Sequence, residues 1–467
     1  MRFIYTLSIN FYHLFIRLAS LFNAKAKLWV NGRENIFEDL ETSLKNQESR
    51  IKSQESRHKN QDTKIKTKDF NRSSDSQLST PNSQLFWFHC ASLGEFEQGR
   101  PLMEKLKKQN SDVKILLTFF SPSGYEVRKK YSGADWIFYL PIDTPSNAEK
   151  FISIVKPDAA FFVKYEFWFN YLSELKKNTV PTYLVSAIFR EQQHFFKGYG
   201  NWFKKQLTCF NHFFVQDEKS LLLLKSIGYT NVTVSGDTRF DRVYEIVQNV
   251  KQIDIVKSFV GNSKVLIVGS AWQEDIKIIA NWYQGASIKQ QESSVNMQDS
   301  PNYKLIIAPH EVDEKTIQSI EAKFIPLLKV GAQGSVFAGV CLRYSQANEQ
   351  NIKDSQILII DNIGMLSSLY QYGTIAFIGG GFGKGIHNIL EAATFGLPVI
   401  FGPNYEKFVE AKELIKLGGA FSVNDSSGFM EIIVQLGDST FLSNASFLSK
   451  KYVESNIGAT SIILKSI

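Results

Sequence analysis

From residue 85 to the C-terminus, short apolar runs alternate with stretches of helical periodicity, a pattern few folds accommodate. The first set of runs is Phe86–Cys90, Lys114–Phe119, Trp136–Tyr139, Ala159–Val163, Thr182–Val185 and His212–Val215. Helical patterns such as Phe96–Lys107 and Lys219–Ile227 lie between them. Alternation of this kind builds βαβ units around a parallel sheet. The pattern restarts at Lys264–Val268 and continues through Tyr303–Ile307, Gln356–Ile360, Thr374–Ile378 and Pro398–Phe401. The expectation is an α/β chain of two doubly wound, Rossmann-like domains, with a hinge near Gly236–Arg242. Ligands of such folds sit at the carboxyl ends of the strands. Two facing domains place that site in the cleft between them.

The chain ahead of this region differs. Ile4, Leu7, Phe11, Leu14, Phe15, Leu18 and Phe22 fall on one face at helical spacing, and Thr6, Asn10, His13, Arg17 and Ser20 on the other. A spanning helix needs about 20 mostly apolar residues, and Asn10 and Arg17 interrupt this run. The pattern suits an amphipathic helix in a membrane interface, with Lys25, Lys27 and Trp29 at headgroup level. A helix packed on its own protein is the alternative. The formal net charge is +7, and Arg2, Arg17, Lys25, Lys27 and Arg33 all precede the first acid, Glu34. That asymmetry points to an anionic surface near the N-terminus rather than to a nucleic-acid groove. Residues 41–85 turn polar, repeat Gln-Glu-Ser-Arg, and predict a solvated linker. Gln284–Asn302 looks like a polar loop insertion. The expected division is 1–33 interfacial helix, 34–85 linker, 86–235 first domain and 236–467 second domain. The three cysteines have no C-x-x-C spacing, and the seven histidines form no metal motif, so no metal or cofactor is expected. No G-x-S-x-G elbow occurs either, which disfavours hydrolase chemistry.

Two segments carry chemistry. His89-Cys90-Ala91-Ser92-Leu93-Gly94-Glu95 follows an apolar run and opens a helix, with Gly94 permitting a tight turn. A carboxylate at Glu95 faces the strand ends and suits a general base, or else an ordinary dipole-satisfying glutamate. Gly379-Gly380-Gly381-Phe382-Gly383-Lys384-Gly385 precedes a second helix, and its bare amides suit an anion. Asn388 and Glu391 share that helix's first turn and suit ribose hydroxyls. A flexible glycine loop is the alternative.

These residues resemble a known family, the 3-deoxy-D-manno-octulosonic acid (Kdo) transferases of lipopolysaccharide synthesis. The stretches that carry the resemblance are Ser92–Glu95, Ser121–Gly124, Tyr139–Asp143, Tyr165–Trp168, Gly236–Asp241, Asn362–Gly364, His387–Ala393, Gly396–Pro398 and Gly402–Pro403. The resemblance implies a GT-B architecture and inverting transfer of Kdo from CMP-Kdo to a lipid A precursor, at the cytoplasmic face of the bacterial inner membrane. It makes Glu95 the base and assigns Asn388 and Glu391, with Gly380, Gly381, Ile363 and Gly364, to the nucleotide. Arg239 and Lys384 are the candidates for the donor's carboxylate and phosphate, and Ser92, Gly94 and Glu166 are acceptor-binding or structural. Three positions depart from the family pattern. Lys164 stands where a glutamate is common, Arg239 where lysine is common, and Pro309-His310-Glu311 where Pro-Arg-His is common. The competing expectations are a GT-B transferase or epimerase using a UDP-sugar, and an inactive membrane-associated scaffold.

Overall fold

The computed structural model describes residues 2–46, 84–292, 303–324, 341–353 and 355–467. These residues form two compact units, 1–242 with 458–467, and 243–457. The first holds a parallel sheet of β1 (Leu85–Cys90), β2 (Lys114–Phe119), β3 (Trp136–Tyr139), β4 (Ala159–Val163), β5 (Thr182–Ala187), β6 (His212–Val215) and β7 (Val232–Val234). Its spatial order is β3-β2-β1-β4-β5-β6-β7. The second holds β8 (Lys264–Ala271), β9 (Tyr303–Pro309), β10 (Cys341–Arg343), β11 (Ile357–Ile359), β12 (Ile375–Ile378), β13 (Val399–Phe401) and β14 (Ala420–Ser422), in the order β10-β11-β9-β8-β12-β13-β14. Helices cover both faces, which is why the central strands are apolar on both sides. Trp87 and Leu116 point into one layer of the first unit, and Phe88 and Leu117 into the other.

The order reverses direction beside β1 and β4 in the first sheet, and beside β8 and β12 in the second. Crevices at such switch points take ligands. Lys164, Ser186 and Ser270 adopt left-handed conformations, with φ of 71°, 52° and 52°, at the carboxyl ends of β4, β5 and β8. Pairing also jumps register between Leu184 and Ala187, and between Gly269 and Ala271. Strained residues and bulges of this kind cluster where a strand end must be re-aimed toward a ligand.

Several expectations need correction. Residues 36–46 are helical rather than linker, with Ile36 and Leu40 buried and Leu44 packed on the core. Three apolar residues at helical spacing are enough to dock this polar segment. The remainder of the expected linker lies outside the described residues. Gln284–Glu292 continues the helix Gln273–Glu292 instead of forming a loop, and the rest of that insertion also lies outside. The last ten residues join the first unit, not the second. Asp241 accepts from the amides of Gly458 (2.5 Å) and Thr460 (2.6 Å) at the start of the helix Ala459–Lys465, and Lys105 donates to Ser461 at 2.7 Å.

The N-terminal helix spans Arg2–Ala19. Phe3, Ile4, Leu7, Phe11, Leu14, Phe15 and Leu18 are all exposed on it. Its other face packs on the first unit through Tyr5 and Tyr12. Trp29 is buried, contrary to its expected headgroup position. It lies 3.7 Å beneath the Arg33 guanidinium, which donates to the carbonyls of Trp29, Phe120 and Leu140 and which burial lowers to about 9. No helix of the described residues is long and apolar enough to cross a membrane.

Tyr5 donates a 2.6 Å hydrogen bond to Asp143, which also accepts the amides of Asn170 and Tyr171 at the start of the helix Phe169–Lys177. Burial outweighs these bonds and raises the Asp143 carboxyl to about 6. The folded state therefore holds a proton that the unfolded chain releases near pH 4. The stability this group contributes falls as pH rises from about 4 to about 6, then levels. Asp143→Asn removes that slope, so the stability difference between wild type and variant changes by on the order of 3 kcal/mol across the window. Urea unfolding at several pH values checks this, and parallel profiles would refute it.

Candidate active site

In the first unit, Ser92 begins the helix Leu93–Gln109 after β1 in extended conformation. Its hydroxyl donates to the Glu95 carboxylate instead of capping a backbone amide. Glu95 thus stands half-exposed in the first helical turn, in a fixed rotamer, with the helix dipole favouring its charge. Gly94 has no left-handed backbone, so the expected tight turn is absent. A Cβ there would meet nothing nearer than Ser92 Oγ at 3.8 Å. The missing side chain leaves open space beside the carboxylate.

Glu166, after β4, accepts from Trp168 Nε1 at 2.6 Å and lies 3.3 Å from His89 Nε2. The fully buried His89 places Nδ1 2.9 Å from Thr118 Oγ1, which accepts from Trp87 Nε1 at 2.8 Å. Glu166 is thereby anchored through a buried chain to β1 and β2. Sequence reasoning quoted His89 and Trp168 without seeing this chain, and Thr118 offered no signal at all.

Arg239 is held by Asp237. Its Nε donates to Oδ2 at 2.8 Å, and a terminal nitrogen stands 2.7 Å from the same oxygen. Asp237 is buried and also accepts from Gln98 Nε2 at 3.2 Å. Thr238 donates to the Gln98 carbonyl at 2.6 Å. The Gly236–Asp241 segment is therefore stapled to the helix Leu93–Gln109 that carries Glu95. Lys164 stands in the left-handed turn that precedes Glu166.

In the second unit, the glycine loop follows β12, and most of its amides are already used. Gly379 donates to Gly269, Gly380 to Asp275, Gly383 and Gly385 to the Gly380 carbonyl, and His387 to Gly379. The expectation of bare amides is corrected to three, those of Gly381, Phe382 and Lys384, which have no acceptor among the described residues. The helix after the loop is also only Leu390–Ala393, too short for an anion-binding terminus. Gly380 has φ of 92°, which an L side chain rarely adopts. Asn388 caps the short helix through Leu390 N at 3.1 Å and donates to Glu391 at 3.1 Å, so the two expected partners are joined. Lys384 and Ile363 are exposed on their loops, and Gly364 has φ of 97°.

Sequence reasoning missed Asp275 and Trp272. Asp275 is fully buried and accepts the amides of Trp272 (2.8 Å) and Gly380 (2.9 Å), tying the end of β8 to the glycine loop. Burial raises its carboxyl. An acid at the third position of a helix was the available signal. Trp272 stacks on His310 at 4.2 Å and donates to His387 Nε2 at 3.0 Å. Burial, and then His310, lower His387 to about 4, so its ring is neutral near pH 7. His310 thus packs against an aromatic platform, where the family pattern has arginine.

A family model described as 3-deoxy-D-manno-octulosonic-acid transferase (kdotransferase) matches residues 62–242. The 3-deoxy-D-manno-octulosonic acid transferase of Aquifex aeolicus is 28% identical over 354 residues, covering 75% of this chain and 85% of the relative. That of Haemophilus influenzae is 25% identical over 366 residues, covering 76% and 80%. Among solved structures, the UDP-GlcNAc 2-epimerase of Neisseria meningitidis has a TM-score of 0.55 at 16% identity, covering 82% of this chain and 98% of its own. A glycosyltransferase from Rickettsia africae has a TM-score of 0.51 at 11% identity, covering 82% and 97%. Those two likenesses concern the fold alone, which is GT-B, with two Rossmann-like halves. The family model covers the first sheet and the likeness to the two transferases extends over three quarters of the chain, and on these grounds the chain is similar to the Kdo transferases, which are glycosyltransferases.

Proposed function

We propose that the chain transfers Kdo from CMP-Kdo to a lipid A precursor in lipopolysaccharide synthesis, with inversion at the anomeric carbon. The observation that carries this reading is the Glu95 carboxylate, fixed by Ser92 at the carboxyl end of β1 with open space above Gly94. Glu95 takes the proton of an acceptor hydroxyl as that oxygen bonds to the anomeric carbon of Kdo. The bond from that carbon to the phosphate oxygen breaks, and CMP leaves with the electron pair. A departing phosphate needs positive potential more than a general acid. The amides of Gly381, Phe382 and Lys384 and the Lys384 ammonium are the groups assigned to it. Asn388 and Glu391 are assigned to the nucleotide, with Gly380 shaping the loop and Ile363 and Gly364 beside it. Arg239, held by Asp237, is assigned to the donor's carboxylate.

The experiment is transfer by purified protein in detergent, given CMP-Kdo and a tetra-acylated lipid A precursor, with products read by mass spectrometry. A gain of one or more Kdo masses is expected. No gain, or a gain only from UDP-sugars, would sink the reading.

The exposed apolar face of Arg2–Ala19, with Lys25 and Lys27 exposed just beyond it, supports docking on the inner leaflet of the inner membrane. Leu14→Asp with Leu18→Asp removes two of the apolar side chains that would enter lipid, at about 1.5–3 kcal/mol each. Flotation with anionic vesicles should then fall at least tenfold. Unchanged flotation would place the contact elsewhere.

A further inference from the structure

A cavity of about 710 Å³ opens in the first unit beside the loops that follow β4 and β5. Its walls are aromatic and include Tyr5 of the N-terminal helix, Tyr165, Phe167 and Phe203. Two polar groups interrupt them. Gln206, on the helix Asn201–Leu207, is only 4% exposed and lines the cavity. No hydrogen bond joins its side-chain amide to another described residue. Arg190 is exposed at the rim and donates to the Tyr165 hydroxyl at 3.4 Å, with its guanidinium 5.8 Å from that ring.

An amide at a cavity wall with no protein partner is available to a ligand's polar groups. The amide offers one acceptor and two donors, which suit hydroxyls and not methylenes. Aromatic walls with a few placed polar groups make a specific small-molecule site. The Arg190 fork matches a carboxylate or phosphate. Tyr165 lines this cavity and feels the Glu95 charge. Burial raises its phenol most, Arg190 lowers it, and the Glu95 charge raises it.

We infer that this cavity is a subsite for an anionic sugar ring, with Gln206 bonding a ring hydroxyl and Arg190 holding the ring's carboxylate or phosphate. The inference rests on the transfer reading above. Two sources share this chemistry, the sugar headgroup of the acceptor and a Kdo unit already transferred.

The test is steady-state transfer by the full chain and by Arg190→Ala and Gln206→Leu, from CMP-Kdo to a lipid A precursor bearing either no Kdo or one. Loss of a hydrogen bond to a charged group should raise the acceptor KM about tenfold or more and leave kcat unchanged. A rise with both acceptors assigns the headgroup, and a rise only with the Kdo-bearing acceptor assigns the transferred unit. An unchanged KM with both overturns the subsite. Arg190 is exposed, so Arg190→Ala folds even if Gln206→Leu does not. If the wild type makes no product, the transfer reading itself fails. The subsite is then decided by Trp202 fluorescence, since that ring stands 6.0 Å from Tyr5. Saturable quenching by free Kdo that Arg190→Ala abolishes upholds it, and no quenching, or quenching the variant keeps, overturns it.

Discussion

Glutamine in place of Glu95 is expected to lower the turnover of Kdo transfer by about 10²- to 10⁴-fold, the usual contribution of a positioned general base. The amide keeps the size of the carboxylate and still accepts the Ser92 hydroxyl, so the fold and CMP binding should be unchanged. What disappears is the capacity to take the acceptor proton. Ser92→Ala frees the Glu95 rotamer without removing the base, and should cost far less than Glu95→Gln. The check is kcat for both variants beside CMP affinity by calorimetry. Full turnover by Glu95→Gln would remove Glu95 from the role.

The second large effect is expected at Gly379, where β12 passes into the glycine loop. A Cβ there would stand 2.4 Å from the Ser270 carbonyl oxygen, 2.7 Å from Ala271 Cα and 2.7 Å from Asp275 Oδ2. Two of those atoms are backbone of β8 and the third belongs to a buried carboxylate, so nothing nearby yields cheaply. Overpacking of this kind typically costs about 1–3 kcal/mol and sometimes more. It also pushes apart Asp275 and the Gly380 amide, which joins the loop to β8. Gly379→Ala should therefore lower the urea midpoint by that energy and weaken CMP binding. Gly94→Ala, whose Cβ would meet only Ser92 Oγ at 3.8 Å, should keep the urea midpoint of the wild type. Equal midpoints for the two variants would show that the loop tolerates the crowding.

How far the sequence could be read follows from where periodicity is strong. Lys114–Phe119, Trp136–Tyr139, Ala159–Val163 and His212–Val215 are strands at the limits their apolar runs predict. A strand covered on both faces is apolar throughout, and its ends show as changes in composition. Val232–Val234, Cys341–Arg343 and Ala420–Ser422 were not predicted. Each has three residues and lies at a sheet edge, too short for a period to emerge. Helical residues 36–46 were hidden for a related reason, since two buried residues and a partly buried third hold a segment whose composition is otherwise polar.

By itself the sequence determined the two parallel α/β halves, the place of Glu95 after β1 and the place of the glycine loop after β12. These are local patterns of apolar runs, turn residues and helix starts, written in neighbouring positions. Only the tertiary structure decided how the site residues are partnered. Asp275 spends the Gly380 amide, Asp237 engages Arg239 two residues away, and His89 anchors Glu166 from 77 positions earlier. The partners of a buried polar group are chosen by which strand ends the sheet order brings together, and that order is a property of the folded chain.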